Sequence, residues 1–178
     1  MTKKVKVKAR YFPDVIITEN SEAAKLLNTQ STFGKLEKEG KVSLSLIEGY
    51  FLLENEKIEV YDGRNHLLTT QEYLKKATRE EPNFLVRYAV FKDLRERGYV
   101  VKTALKFGAD FRVYDRGIKP GQDHAKWVVY PVAEGTTLTW YEFAAKNRVA
   151  HSTKKKLLLA VVDNEGDVSY WECGWVRP

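Results

Sequence analysis

Phe84-Leu-Val-Arg-Tyr-Ala-Val-Phe-Lys-Asp-Leu-Arg-Glu-Arg-Gly-Tyr-Val-Val-Lys-Thr103 changes its period part-way along. Phe84, Leu85, Tyr88, Phe91 and Leu94 recur at intervals of three and four, which puts them on one side of a helix and leaves Lys92, Asp93, Arg95, Glu96 and Arg97 on the polar side. Gly98 stands where a left-handed residue ends a helix at little cost, and Tyr99-Val-Val-Lys-Thr103 then begins a sheet. Apolar runs at 109–115, 126–132, 157–163 and 167–172 read as further strands. Between the second and third of these, Trp140 to Ala150 has helical composition, with Thr139 available as its cap. Helix, three strands, helix and two strands predict a mixed-sheet α/β domain over 81–178.

The first half predicts a smaller α+β domain over 1–80. Val5 to Ile17 alternates lysines with valines and is broken at Pro13, giving one or two strands. Asn20 or Ser21 can cap a short helix through Leu27, and a loop is expected over Asn28 to Lys41. Leu44, Ile47, Tyr50 and Phe51 fit a helix over 44–54 with Ser43 or Ser45 as cap, and Ile58-Glu-Val-Tyr61 fits a strand. Thr69-Thr-Gln-Glu72 spells a capping box opening a helix through about Lys76. Thr78-Arg-Glu-Glu-Pro-Asn83 is polar and contains a proline, so the domain break is placed near 80.

With 43% hydrophobic and 12% aromatic residues, the 178-residue chain can bury real cores. Thirty Lys+Arg against 24 Asp+Glu give a net charge of +6, which favours an anionic partner. A single cysteine, Cys173, excludes an intrachain disulfide and a Cys-based zinc cluster, and fits a reducing compartment. The lysine-rich start lacks a signal-peptide core and no run is long enough to span a bilayer, so the expected location is cytoplasmic.

Two segments hold residues suited to chemistry. Asp110-Phe-Arg-Val-Tyr-Asp-Arg-Gly-Ile-Lys-Pro-Gly-Gln-Asp-His124 runs from a strand carrying Tyr114 into a Gly/Pro loop ending on His124. Arg148-Val-Ala-His-Ser-Thr-Lys-Lys-Lys156 leads cations into the apolar run Leu157 to Val162. Metal-free RNA cleavage needs the 2′-hydroxyl to lose a proton, the 5′-oxygen to gain one, and the charge growing on the phosphate to be stabilised. Histidine, with a reference pKa of about 6.5, suits proton transfer, and lysine at about 10.4 stays cationic. Tyrosine, at about 10, is a poor base unless a cation stands beside it. Pattern alone favours a packed strand aromatic for Tyr114 and surface positions for His124, His151 and His66. Lys154, Lys155 and Lys156 alternate in direction at the entrance of a strand, so Lys155 faces away from its neighbours, and spacing does not choose between the faces. A metal-dependent, restriction-type nuclease would need an acidic residue and a Glu-x-Lys pair on an apolar strand, so that two carboxylates hold a divalent ion, and the chain offers only Glu39-Gly-Lys41 in a charged loop. No Gly-rich phosphate loop with a trailing Lys-Ser/Thr is present.

At Asp110 to Asp115 with Pro120 to His124, and at Arg148 to Lys156 with Asp163-Asn-Glu-Gly-Asp167, the chain resembles the archaeal tRNA-splicing endonucleases. Tyr88 to Thr103 and Leu105 to Phe111 resemble that family's catalytic domain, and Val42 to Glu48 its amino-terminal domain. The resemblance implies an endoribonuclease that removes introns from precursor tRNA without metal or cofactor. It would cut at bulge-helix-bulge sites and leave 2′,3′-cyclic phosphate and 5′-hydroxyl ends. Tyr114 falls on the family's general base, His124 on its general acid and Lys155 on its transition-state stabiliser. Arg148 falls on an arginine that clamps a bulged base, with Tyr170 and Trp171 as candidates for the second clamp. The resemblance also implies a tetramer, either four copies or two heterodimers, in which an acidic loop docks into a basic cleft. Asp163, Glu165 and Asp167 match that loop. The lysine-rich loop from Gly34 to Lys41 is similar to an insertion that crenarchaeal catalytic subunits place near RNA. It therefore marks Lys41 as an RNA contact, and favours a catalytic subunit that needs a second, structural one. The competing expectation is a non-catalytic RNA-binding or assembly subunit of the same fold.

Overall fold

A computed structural model describes residues 6–104 and 108–178 of the chain. Val5 and Leu105 to Phe107, which the sequence places in the first strand and in a family motif, lie outside them. The chain forms two compact units, one ending at Phe84 and the other beginning at Leu85. Both are mixed α/β, each with a five-stranded sheet among the described residues.

In the first unit, β1 (Val7–Tyr11) alternates buried and exposed residues, so Val7, Ala9 and Tyr11 face the core while Lys8 and Arg10 face solvent. Pro13 separates it from β2 (Ile16–Thr18), to which it pairs antiparallel. Helix α1 (Glu22–Thr29) is capped by the Ser21 side chain. Next come β3 (Lys35–Leu36), β4 (Val42–Leu44), α2 (Leu46–Glu54), β5 (Ile58–Tyr61) and α3 (Thr70–Glu80), giving the strand order β3-β4-β2-β1-β5.

Three local expectations are corrected. Leu44 ends a strand and does not belong to the helix: Val42 and Leu44 are both buried on one side of β4, and the Ser45–Glu48 capping box starts α2 at Leu46. The stretch taken as loop over 28–41 contains β3, a two-residue edge strand held by pairing with β4. Helix α3 runs past Lys76 to Glu80, because Ala77 is fully buried and carries the apolar face one turn further.

Buried Glu48 ties this unit together. Its carboxylate accepts from Ser45 N at 3.0 Å, Ser45 Oγ at 3.1 Å and Gly34 N at 2.9 Å, so one side chain caps α2 and anchors the base of the lysine-rich loop. Gly34 has φ +58°, and a Cβ there would meet Ser43 O at 2.3 Å. Gly49 lets α2 approach fully buried Tyr73, whose hydroxyl donates to Leu46 O at 2.8 Å. A Cβ on Gly49 would lie 2.4 Å from that hydroxyl oxygen and 2.7 Å from Ile16 Cγ1. Gly49→Ala is therefore expected to cost about 1–3 kcal/mol of stability, read as a lower midpoint in urea unfolding. An unchanged midpoint would show that Tyr73 can withdraw from Leu46 freely.

The second unit opens with α4 (Phe84–Glu96), which ends before Gly98 at φ +89°. Then come β6 (Val100–Thr103), β7 (Phe111–Tyr114), β8 (Trp127–Ala133), α5 (Trp140–Ser152), β9 (Lys156–Val162) and β10 (Val168–Cys173), in sheet order β10-β9-β8-β7-β6. All pairs are antiparallel except β8 with β9, which are joined through α5 as a parallel crossover. The register assigns the faces. One face holds Phe111, Val113 and Val129, and α4 packs there, with Phe91 6.0 Å from Phe111 ring to ring. The other holds Arg112, Tyr114, Val128, Tyr130 and Leu157, and α5 packs there, with Ala150 joining Val128, Tyr130 and Leu157 in one core. Among the described residues, no helix is long and apolar enough to cross a membrane.

Candidate active site

Three neighbouring strands end or begin at the same level. Val113 pairs with Trp127 and Trp127 with Lys156, while Lys126 N donates to Val113 O at 2.9 Å and Lys156 N to Lys126 O at 3.0 Å. Tyr114 is the residue after Val113, His124 stands two before Lys126, and Lys155 immediately precedes Lys156. The backbone thus brings Tyr114, His124 and Lys155 to one end of the sheet. At about 4.8 Å per strand step, the β7 and β9 backbones stand roughly 10 Å apart, a gap that side chains from both sides and a phosphodiester can fill.

Parity resolves the lysines. Tyr114 shares a face with Arg112, which is opposite Val128, and Val128 is opposite Leu157. Lys155, two residues before Leu157, lies on that same α5 side. Lys156 turns to the α4 side, where its Nζ meets Glu172 Oε1 at 2.6 Å. Trp127 Nε1 also donates to Glu172, and these two bonds, that from Lys156 first, hold the Glu172 carboxyl below the usual carboxylate range.

The end of α5 sets where Lys155 begins. Thr153 is the C-cap, Lys154 takes φ +53°, Lys154 N donates to His151 O at 3.0 Å and Lys155 N to Ala150 O at 2.8 Å. This is a Schellman motif with lysine in the left-handed place that glycine normally takes, at a cost of about 1 kcal/mol. It fixes the Lys155 backbone, and the half-buried Lys155 Nζ donates to Thr153 O at 2.9 Å, at the negative end of the helix.

Tyr114 is only 5% exposed. His124 is exposed, at the end of a loop folded by two turns: Ile118 N donates to Asp115 O and Gln122 N to Lys119 O, with Gly117 at φ +78° and Gly121 at φ +94°. Asp123 Oδ1 accepts from His124 N at 2.6 Å, fixing the backbone and leaving the imidazole outside that bond. Asp115 accepts from Arg116 N and from Lys126 Nζ, and those bonds lower its carboxyl pKa. Among the described residues, no hydrogen bond joins the Tyr114, His124 and Lys155 side chains to one another, and no group of three or more His, Cys, Asp or Glu could hold a metal ion. Asp110, at the other end of β7, pairs with Arg87 of α4 at 2.8 Å. Burial pushes its carboxyl up despite that guanidinium.

Arg148 is exposed on α5. Trp171 is 54% exposed on β10 opposite Leu159, on the α5 side of the sheet. Tyr170 points the other way, its hydroxyl donating to Asp93 Oδ2 at 2.7 Å, and burial and that bond push its pKa far up. Tyr170 is thereby committed to holding β10 against α4. Asp163, Glu165 and Asp167 lie in the β9–β10 hairpin, where Asp163 Oδ1 accepts from Glu165 N and Asp167 N at 2.9 Å each. Asp163 is thus a turn-former, and the Glu165 and Asp167 carboxylates project from an exposed tip. Lys41 belongs to the first unit, where it pairs with Glu39 at 2.8 Å.

Sequence reading passed over the exposed Trp140 and Tyr141 at the start of α5, whose helical composition masked how little of either ring is covered. It also passed over the solvent face of β1, where Lys-Val-Lys alternation was the available signal.

The protein is thus a two-unit mixed α/β chain whose second unit brings a tyrosine, a histidine and a lysine to one end of its sheet. Residues 84–170 match the tRNA intron endonuclease catalytic C-terminal domain, and residues 8–74 match the N-terminal domain of the same family. The chain is 48% identical over 141 residues to the tRNA-splicing endonuclease of Nanoarchaeum equitans, covering 76% of this chain and 90% of that protein. It is 40% identical over 164 residues to that of Thermococcus gammatolerans, covering 92% and 95%. To that of Methanothermobacter thermautotrophicus it is 34% identical over 174 residues, covering 98% and 100%. The chain belongs to the tRNA intron endonuclease family.

Proposed function

We propose that the protein is an endoribonuclease that excises introns from precursor tRNA by metal-independent cleavage at bulge-helix-bulge sites. The observation that carries this is the convergence of Tyr114, His124 and Lys155 at one sheet end, with Tyr114 and Lys155 on the same face. Tyr114 accepts the proton of the 2′-hydroxyl, whose oxygen attacks the adjacent phosphorus. The bond to the 5′-oxygen breaks and His124 protonates that oxygen, giving a 2′,3′-cyclic phosphate and a 5′-hydroxyl. Lys155 neutralises the charge that builds on the phosphate oxygens and places a cation beside the tyrosine. Residues 81–178 are the catalytic domain and 1–80 the amino-terminal domain. Arg148 and Trp171 stack on an extruded base of the substrate, and Lys41, in the first unit, contacts a phosphate.

Incubation with an intron-containing precursor in excess EDTA is expected to release the intron with cyclic phosphate ends, identified by mass spectrometry. A strict requirement for Mg²⁺ would overturn the metal-independent reading, and binding without cleavage would favour a non-catalytic assembly subunit. The active species is a tetramer, of four copies or of two heterodimers, in which the tip of the β9–β10 hairpin docks on a neighbour. Because Asp163 builds the turn, the decisive variant is Glu165→Gln with Asp167→Asn, expected to lower the mass by light scattering with the fold intact by circular dichroism. An unchanged mass would return this hairpin to the role of a plain turn.

A further inference from the structure

The face of the first sheet opposite its buried side carries a second cationic surface. Lys8 and Arg10 project from β1 to the solvent side, about 6.8 Å apart at two residues of rise. Register places Ile17 of β2 and Tyr61 of β5 on either side of Arg10. With Phe12 and Lys41 these residues line an open groove of about 660 Å³. The charges in it are unequally neutralised. Lys8 Nζ makes no ion pair among the described residues, and Arg10 Nη2 meets only the neutral Asn65 Oδ1, at 3.2 Å. The lining carboxylate, Glu19, accepts from the Lys8 backbone N at 3.3 Å. Glu59, opposite Lys8 on β5, accepts from the Tyr61 hydroxyl at 3.0 Å. Phe12 is 41% exposed where a core phenylalanine would be covered.

We infer that this groove of the first unit is a further RNA-binding surface, one that holds the substrate through residues other than Tyr114, His124 and Lys155. Cations alternating along a strand engage phosphates without reading sequence. Phe12 and Tyr61 flanking them supply π-faces on which unpaired bases stack, so the groove pairs cations with rings in the way a single-stranded nucleic acid uses. The inference rests on the proposed RNA substrate and adds where else that substrate is held.

The test uses full-length protein and a fluorescent intron-containing precursor tRNA, titrated from about 50 to 200 mM salt. Lys8→Gln with Arg10→Gln is expected to weaken binding about tenfold and to make the salt slope shallower by about 1.5–2, the amount for two lost phosphate contacts. Phe12→Ala is expected to weaken binding about five-fold or more with the slope unchanged, since stacking releases no counterions. Affinities within twofold of wild type and an unchanged slope in both variants would overturn the inference. So would a loss of affinity accompanied by a fall in mass on light scattering, which would assign the groove to a protein partner. Wild-type protein that neither binds nor cuts the precursor would overturn the parent reading and this one together. Wild-type activity with silent variants would remove the groove alone.

Discussion

His124→Ala is expected to slow single-turnover cleavage of an intron-containing precursor by about 10²–10⁴-fold, the range for loss of a positioned general acid. The 5′-oxygen is a poor leaving group unless protonated as its bond to phosphorus breaks, and a histidine with a reference pKa of about 6.5 has a proton to give near neutrality. The side chain is exposed and the loop is held through Asp123 Oδ1 and the His124 backbone N, so alanine leaves the loop's bonds in place. Stability should therefore move by no more than about 0.5 kcal/mol, and affinity for the precursor should stay within a few-fold. A cleavage rate within threefold of wild type would remove His124 from the mechanism. A large loss of affinity would instead make it a binding residue.

Lys155→Ala is expected to cost about 10²–10³ in the same rate, as for a single lost donor to developing charge, with most of the loss in kcat. Lys156→Ala supplies the comparison. Its ammonium lies on the opposite face and meets Glu172 in an exposed pair, worth about 0–1 kcal/mol of stability and nothing directed at the site. The two lysines are adjacent in sequence and identical in chemistry, so a rate loss confined to Lys155→Ala would isolate the effect of face. Equal losses in both variants would mean that general positive charge is what the site requires. Removing Lys155 Nζ also frees Thr153 O at the end of α5, a part-buried contact worth about 0.3–1 kcal/mol, and melting of both variants separates that structural loss from catalysis.

Much of the fold is written in local signals. Thr69 with Glu72 and Thr139 with Glu142 form the capping boxes that start α3 and α5, and Gly98 ends the segment after α4 with φ +89°. Each depends on residues within one turn of one another, which is why spacing alone finds them. The misreadings around β3, β4 and the end of α3 share a cause. A two- or three-residue strand has no period of its own and exists because a neighbour pairs with it, as β4 does with β2. Helix α3 continues past a charged stretch because Ala77 is buried by the unit around it.

The site divides along the same line. Sequence by itself determined which residue types stand near one another in the chain: a tyrosine at a strand end, a histidine closing a Gly/Pro loop, and three consecutive lysines entering a strand. It also determined the family, because several such segments occur in one order. Only the tertiary structure decided direction. The antiparallel β7–β8 pair and the parallel β8–β9 pair bring residues 114, 124 and 155 to one end of the sheet, across forty residues of chain. Alternation along the strands then separates Lys155 from Lys156 and Trp171 from Tyr170, whose hydroxyl is taken up by Asp93. The physical reason is that a strand reverses its side chains at every residue. Function at a sheet end depends on register, and register is set by the pairing of segments that are distant in sequence.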